Sequence, residues 1–420
     1  MKISPPERFE TTIGGKTVHG LAIRLTEERT GSERRIWVAV DAEHARHLST
    51  RQDVFLPSLV FHAMLIGEDL DLGGLAVEEF FLRNVSHAAS QYGHWFHKLR
   101  VPKISNPSHA GRAPRGGGFA AFCSGGVDGS FSVYRHTRNN PADVSRSREQ
   151  DLGHAYHVLY SDEPEGIAGH GKAADALAEA TASWGVQLIR VYTNIYLFAP
   201  VQTQNYAMVS HGAAFASLAH ALSAETGATL LASSHTDGYY HPYGSTPEVD
   251  PMFSSGSMAF INDGGHYTRA EKVECLCGDA AARRALNVCD RRAPMADYKN
   301  CSRCHKCLRT MITIDLYGKA GEATPAFDWR DYSPEAFGRL QLRGVGIGDE
   351  QFYAEEIRDA AVGKRPDIVA AANRAAVRSR MFKPMFMVED IAKKLPIGAG
   401  ARQTLKGIKK QMLSLIGAAR

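Results

Sequence analysis

The sequence predicts an α/β protein with a doubly wound, mostly parallel sheet, preceded by an N-terminal α+β accessory domain and followed by a helical C-terminal region. Three observations carry this expectation. From Phe119 onward, short apolar runs alternate with helix-patterned segments, which calls for crossover connections and hence a parallel sheet with helices on both faces. Just before that pattern, Pro107 to Gly118 is rich in glycine, proline and arginine, the breaker composition of a linker. Six of the seven cysteines then crowd between Cys275 and Cys307, marking a small cysteine knuckle at the end of the α/β segment.

Bulk properties set the frame. A chain of 420 residues exceeds one ordinary core and points to two or three domains. Hydrophobic content of 44% and charged content of 22% are those of a globular protein rather than a disordered one. The net charge of +4 permits a phosphorylated ligand or RNA without arguing for either. Met-Lys-Ile-Ser-Pro-Pro has no apolar run behind its lysine, and no stretch approaches the roughly 18 apolar residues of a spanning helix. The expectation is a cytoplasmic protein without a membrane span, whose clustered cysteines bind metal rather than form disulfides.

The elements follow in order. Residues 1–112 form the expected accessory domain, with a strand at Arg34–Val40, a helix over Phe55–Met64 and another over Val77–Tyr92. In the last, Phe80, Leu82, Val85 and Ala88 are spaced for one face. Residues 113–318 form the central domain. Its strands are expected at Gly118–Phe122, His157–Tyr160, Val186–Tyr192 and Ala228–Ala232, and its helices from Phe131, over Ala173–Trp184 and over His211–Thr226. Residues 319–420 read as helical and charged. The segment Lys393–Arg420 holds seven basic residues and no acidic one, with Leu405, Ile408, Met412 and Leu415 on one helix face. That tail suits a helix packed on the domain, or a basic arm for nucleic acid or an anionic surface.

The strand ending at Cys123 runs into Ser124-Gly125-Gly126-Val127-Asp128-Gly129-Ser130 and then a helix. Paired glycines allow positive φ and close backbone approach, successive N–H groups form an anion nest, and the helix N-terminus adds its positive end. The Ser124 and Ser130 hydroxyls can donate to phosphate oxygens, and Asp128 can hold Mg²⁺ or a loop amide. A Walker A loop is excluded because no Gly-Lys-Ser/Thr follows, and the Gly-x-Gly-x-x-Gly fingerprint is missing. The run resembles the Ser-Gly-Gly-x-Asp-Ser signature of the PP-loop ATP pyrophosphatases, with Gly129 where the final serine usually stands. The resemblance implies an adenine nucleotide alpha hydrolase-like fold, ATP as cofactor, and cleavage to AMP and pyrophosphate. It also implies that Asp162, after the second strand, lies near the nucleotide. Lys272, and next to it Arg269, in Thr268-Arg269-Ala270-Glu271-Lys272, would lie near the phosphates as catalytic cations beside Asp128. A solvated charge at a helix start is the competing reading of that segment.

Cys301-x2-Cys304-x2-Cys307, with Cys289 upstream, supplies four thiolates, a full tetrahedral shell for Zn²⁺. An iron–sulfur cluster takes similar ligands. The arrangement of one cysteine before a Cys-x2-Cys-x2-Cys triplet resembles the 7-cyano-7-deazaguanine synthases, over about residues 119–317. By that resemblance the four bind structural zinc, and the loop after the fourth strand, with Thr236, Asp237 and Tyr239, lies at the substrate. His211, at another strand end, could face the same cleft. Cys275 and Cys277 read as buried or incidental, as replacement metal ligands, or as a persulfide carrier.

The leading expectation is an ATP-dependent, ligase-like enzyme that adenylates a carboxylate or amide oxygen for attack by a nitrogen nucleophile. Its substrate would be a small molecule such as a deazapurine or another carboxylate, or a macromolecular acceptor engaged through the N-terminal domain. Two alternatives stand beside it: a PP-loop sulfurtransferase acting on tRNA or a small molecule, and a non-catalytic, ATP-sensing nucleic-acid-binding protein.

Overall fold

The computed structural model describes residues 1–137, 152–160, 171–198, 206–239, 241–289, 300–340 and 351–394. Asp162 and the tail residues Leu405, Ile408, Met412 and Leu415 lie outside the described residues. The chain forms two compact units, Met1–Val288 and Cys289–Arg420. The first holds both the segment expected as an accessory domain and nearly all of the strand–helix segment after it.

The first unit is α/β, with a largely parallel central sheet of eleven strands. In chain order these are β1 (Lys2–Ile3), β2 (Glu7–Ile13), β3 (Lys16–Thr26), β4 (Glu33–Asp41), β5 (Leu70–Asp71), β7 (Ile104–Ser105), β9 (Gly118–Phe122), β10 (His154–Tyr160), β11 (Gln187–Thr193), β12 (Thr226–Ala232) and β13 (Ala259–Asp263). A separate pair joins β6 (Ala76–Glu78) to β8 (Ser108–Ala110). Strand order runs β13-β12-β9-β10-β11-β4-β3-β1-β5-β7, with β2 paired to β3. The five strands from β13 to β11 are mutually parallel. Beyond them β4 lies antiparallel on β11, with Val191 opposite Val40 and Tyr192 opposite Ala39. The N-terminal strands thus extend the parallel sheet instead of standing apart from it, and Ile36, Val38 and Val40 share one buried core with Ala120, Phe122 and Tyr156.

The helices of this unit are α1 (Leu56–Ile66), α2 (Glu79–Trp95), α3 (Val127–Arg135), α4 (Gly171–Ser183), α5 (His211–Ala221), α6 (Arg269–Cys277) and α7 (Ala280–Ala285). α1 ends at Gly67 in the left-handed conformation, the usual way to release a helix without a Cβ clash. The face of α2 corrects the expectation from periodicity. Phe81, Val85, Ala88, Ala89 and Tyr92 are buried, whereas Phe80 is 52% exposed. Spacings of four, three and four residues keep those side chains on one stripe, and Phe80 sits about 100° off it. α5 stops at Ala221, short of the expected Thr226, because Thr226 already belongs to β12.

The second unit holds α8 (His305–Leu316), α9 (Pro334–Gly338), α10 (Gln351–Ala361) and α11 (Pro366–Lys394). α10 packs on α11, and Ala354, Ile357, Ile368, Ala371 and Ala375 are buried. Small alanines at these positions let helix axes come close. Asp315 and Arg365 tie α8 to the start of α11 through two oxygens at 3.2 Å. No helix among the described residues is long and apolar enough to cross a membrane.

Candidate functional site

The chain order reverses between β9 and β12. β9, β10 and β11 step one way across the sheet while β12 and β13 step the other. Adjacent loops at such a reversal leave a crevice at the carboxyl ends of the strands, where open parallel sheets bind ligands. The glycine loop lies there. Cys123 continues β9 by donating its N–H to Tyr156 O at 2.9 Å, and its own carbonyl meets His157 Nδ1 at 2.9 Å. Gly125 then takes φ +82°, a left-handed conformation that costs other residues about 1–2 kcal/mol. Gly126 caps α3 in extended geometry. The Gly126 N–H makes only a 3.4 Å contact to Ser124 Oγ, so a stronger acceptor could displace that hydroxyl.

Val127 is fully buried and offers the loop mouth only its backbone. Gly129 stands where α3 crosses the end of β9; a Cβ there would lie 3.1 Å from Phe122 O and 3.3 Å from Cys123 Cα. A serine at 129 would push the helix off the strand. Ser130 does not replace it, because its hydroxyl is buried, 3.9 Å from Cys123 Sγ. Burial in turn pushes the Cys123 thiol up to about 11. Of the two hydroxyls expected at a phosphate, Ser124 is the exposed one.

Asp128 pairs with two side-chain cations rather than with a loop amide. It binds Arg269 Nη1 at 2.7 Å through one oxygen and Lys272 Nζ at 3.2 Å through the other. Burial alone would raise its pKa, but the two cations outweigh that and hold the carboxyl at about 2. Lys272 is only 2% exposed and also donates to Ser233 O at 2.8 Å. It therefore joins the first turn of α3, the first turn of α6 and the loop after β12. α6 is placed by a full capping box, in which Thr268 accepts from Glu271 N–H and Glu271 returns the bond to Thr268 N–H. From the far side, Asp263 at the end of β13 holds α3 through Ser132 Oγ at 2.6 Å, Arg135 Nη1 at 3.1 Å and His136 Nε2 at 3.0 Å.

The loop after β12 leads away from this cation pair into a group of aromatic rings. The carbonyl of Thr236 accepts from Tyr239 N–H at 2.8 Å, and Asp237 N–H donates to Gly265 O at 2.7 Å, leaving Asp237 exposed. The His235 ring lies 4.6 Å from His241 and 5.1 Å from Tyr243, and Tyr243 lies 5.1 Å from His211. Tyr239 borders the group, 5.5 Å from His241. Burial lowers His211 to about 4, and burial followed by the neighbouring His241 lowers His235 to about 4, so both imidazoles are neutral at pH 7. His211 Nδ1 is 2.8 Å from Ala207 O. That contact places the proton on Nδ1 and leaves Nε2 as an acceptor. Tyr206 opens a π-helical turn, Tyr206–Ser210, in front of α5, and its hydroxyl pairs with that of Tyr160 at 2.9 Å. Inserted π turns of this kind recur at functional sites.

Of the residues expected at the substrate, Tyr239 and His211 join this ring group, while His235, His241, Tyr243 and Tyr206 were not singled out. His235, His241 and Tyr243 lie in the loop after β12 beside Thr236, Asp237 and Tyr239, and no spacing rule separates them from those neighbours. Asn287 was also missed. Its N–H donates to Gly125 O at 2.7 Å, and nothing local in the sequence announces that contact. Cys277 is buried in the last turn of α6, while Cys275 is partly exposed.

In the second unit the four expected cysteines converge. The Sγ atoms of Cys289, Cys301, Cys304 and Cys307 all lie within 4.8 Å of one another. The separations are 3.9 Å for Cys289–Cys304, 3.8 Å for Cys301–Cys307 and 3.4 Å for Cys304–Cys307. A tetrahedral ion with Zn–S bonds of about 2.3 Å sets its sulfurs about 3.8 Å apart, so the group could hold a single metal ion such as zinc. Sulfurs this close suit one tetrahedral ion, and a multi-iron cluster would need them farther apart. The supports are local. Ser302 takes φ +56° to turn the knuckle. Cys304 N–H points at Cys301 Sγ at 3.4 Å, and Asn300 Oδ1 accepts from Cys289 N–H at 3.2 Å. Cys304 caps α8, and the neighbouring Cys307 thiol draws Cys304 down to about 4. The same contact pushes the Cys307 thiol up, so a metal bound here would have to displace the Cys307 proton.

Comparison with models of known protein families, with curated proteins and with solved structures returns no match. The fold and the two groups of residues therefore define the class only as far as an α/β protein with a glycine loop at the sheet reversal and a four-cysteine centre.

Proposed function

We propose that the protein is an ATP-dependent adenylating enzyme, built on a doubly wound sheet, that forms AMP and pyrophosphate. The observation that carries the reading is the glycine nest at the reversal point of the parallel strands, with Gly125 at φ +82°, α3 behind it and the buried Lys272 beside it. In this reaction a carboxylate or amide oxygen of the substrate attacks the α-phosphorus of ATP, the bond to the bridging oxygen breaks, and pyrophosphate leaves. A nitrogen nucleophile then adds to the adenylated carbon and AMP leaves with the activated oxygen, giving an amide from a carboxylate or an amidine from an amide.

Each residue has a role in this scheme. The backbone N–H groups of 125–128 and the Ser124 hydroxyl receive the phosphates. Lys272 and Arg269, pre-oriented by Asp128, face the charge that develops on the departing pyrophosphate. Mg²⁺ would offset the negative charge of the phosphates, and Asp128 could help hold it only by releasing Arg269 or Lys272. The His235, His241, His211 and Tyr243 rings suit a planar substrate, since neutral imidazoles and phenols stack and hydrogen-bond without repelling it. Zinc at the four cysteines would be structural, because all four positions of its shell are taken by protein. Sulfur transfer would have to run through the partly exposed Cys275, since Cys277 is buried and a persulfide carrier must reach its acceptor.

The test is to incubate the protein with Mg²⁺, an ammonium salt, ATP labelled in its α-phosphate and a panel of heteroaromatic carboxylic acids. Labelled AMP and an equal amount of pyrophosphate are expected with at least one acid; ADP as the labelled product would refute the assignment.

A further inference from the structure

We propose that Asp250, acting through the Ser245 hydroxyl, takes up the proton released when a nitrogen nucleophile adds to the activated substrate. The pairing of the two side chains does not depend on the adenylating function proposed above; its place in nitrogen transfer rests on it.

Asp250 opens a 3-10 turn, Asp250–Phe253, between β12 and β13. It is fully buried, yet no cation pairs with it among the described residues. Oδ2 accepts from Ser245 Oγ at 2.5 Å and from Asn262 Nδ2 at 2.7 Å. Oδ1 has no hydrogen-bond partner among the described residues and lies 3.1 Å from the point a Cβ on Gly212 would occupy. The surrounding elements bring no free cation to it. His211 and His220 of α5 are kept neutral by burial. Arg51 reaches Ser255 and Ser257 beyond the turn but is matched by Asp53 at 2.7 Å. α2 meets the end of the turn through Asn84, which donates to Ser254 O at 3.1 Å, and Asp263 beside Asn262 is engaged with α3. Burial, with Glu248 adding to it, therefore raises the Asp250 carboxyl to about 7 against the pull of Asn262 and Ser245.

Ser245 and Asn262 are both partly exposed and stand between the buried carboxyl and its surroundings. An amide N–H keeps its proton, whereas a hydroxyl can pass its own to Oδ2 while accepting another on its lone pairs. Of the two donors, only Ser245 can serve as the route. Tyr243, two residues earlier, belongs to the ring group. Between them Gly244 donates to Ala207 O at 3.2 Å and accepts from Gly212 N–H at 2.8 Å, and a Cβ on Gly244 would collide with the His211 ring. On the other side, Asp263 O accepts from Ser233 N–H at 2.8 Å, and Ser233 O is the acceptor of Lys272. The Ser245–Asp250 pair is thus tied both to the rings proposed for the substrate and to the strand end that holds the lysine.

In the proposed step ammonia adds to the adenylated carbon through its lone pair and becomes cationic. One N–H bond breaks and its electrons stay on nitrogen. The proton passes to Ser245 Oγ as the Ser245 proton moves to the Asp250 carboxylate. AMP leaves with the activated oxygen, and Asp250 later returns its proton to water. A base that titrates near the working pH suits such a transfer. Asp250 touches no ligand in this scheme and acts through Ser245.

The experiment uses the full chain and the variants Asp250→Asn, Ser245→Ala and Ser245→Thr. Infrared difference spectra of protein labelled with ¹³C in the aspartate carboxyls are recorded from about pH 5 to about pH 9. One neutral-carboxyl band should titrate near 7, vanish in Asp250→Asn and move to higher pH in Ser245→Ala, which loses a donor to the carboxylate. Two rates are then compared with Mg²⁺, ATP and the acids of the panel: exchange of labelled pyrophosphate into ATP, and ammonium-dependent product formation. Asp250→Asn and Ser245→Ala should slow product formation at least about tenfold more than exchange, and Ser245→Thr should restore most of it. The parent's rise in product formation around pH 7 should be missing in Asp250→Asn. Absence of the titrating band, or equal slowing of both rates, overturns the proposal. A parent that shows the band but no pyrophosphate exchange with any acid refutes the ATP reading; the pairing then stands, and its assignment to nitrogen transfer falls.

Discussion

Replacing Lys272 by methionine keeps the length of the side chain and removes its charge, which isolates what the buried ammonium does. In the native chain its Nζ satisfies Asp128 Oδ1 at 3.2 Å and Ser233 O at 2.8 Å, in a side chain only 2% exposed. Hydrogen bonds to charged groups contribute about 1.5–3 kcal/mol each. Losing one side of a buried ion pair costs about 3–5 kcal/mol when the partner is orphaned. Arg269 stays with Asp128 at 2.7 Å, so the lower part of that range applies and the expected loss is about 2–4 kcal/mol. Acid titration provides a second signature. Asp128 is held at about 2 against an ordinary value of 3.8, which is roughly 2 kcal/mol of stability. That contribution is complete above about pH 4 and vanishes as the pH falls through about 2, because protonation then favours the unfolded chain. Urea unfolding at pH 7 and pH 3 of the parent, Lys272→Met, Asp128→Asn and the double variant closes a cycle. A coupling energy below about 0.5 kcal/mol, or a Lys272→Met protein as stable as the parent, would refute the account of Lys272 as the joint between α3, α6 and the loop after β12.

Three further outcomes are expected. Gly125→Ala should cost about 1–2 kcal/mol from its left-handed φ alone, with more from the 3.2 Å approach to Ala285 O, and should weaken ATP binding at least tenfold by calorimetry. Purified protein should carry one zinc per chain by elemental analysis, and Cys304→Ser should lose it along with thermal stability of the second unit; retention of a full equivalent would count against the four-sulfur shell. His47 is fully buried, both its ring nitrogens lack a partner among the described residues, and burial, aided by the nearby His154, lowers it to about 4. A histidine held neutral contributes stability that is complete above about pH 6.5 and is lost as the pH falls through 4. His47→Phe should therefore be tolerated at pH 7 and should flatten the loss of stability between pH 6.5 and 4 in thermal melts.

The sequence alone determined what is local. Alternation of apolar runs located β9 to β12 and their helices to within a few residues, since strand and helix periodicities are properties of neighbouring side chains. The turn of the glycine loop was legible because positive φ and a helix start are set by consecutive residues, and the cysteine triplet because x2 spacings by themselves bring sulfurs to one point. Only the tertiary structure decided what depends on pairings across the chain. It merged the N-terminal strands with the parallel sheet through Val40 opposite Val191, buried Phe81 in place of Phe80, and turned Ser130 inward so that Ser124 faces the mouth. It gave Asp128 two cations from 141 and 144 residues away and set Asn287 over Gly125. Such contacts are selected by the packing of whole layers, and a residue's type and immediate neighbours carry no record of which layer will come to lie against it.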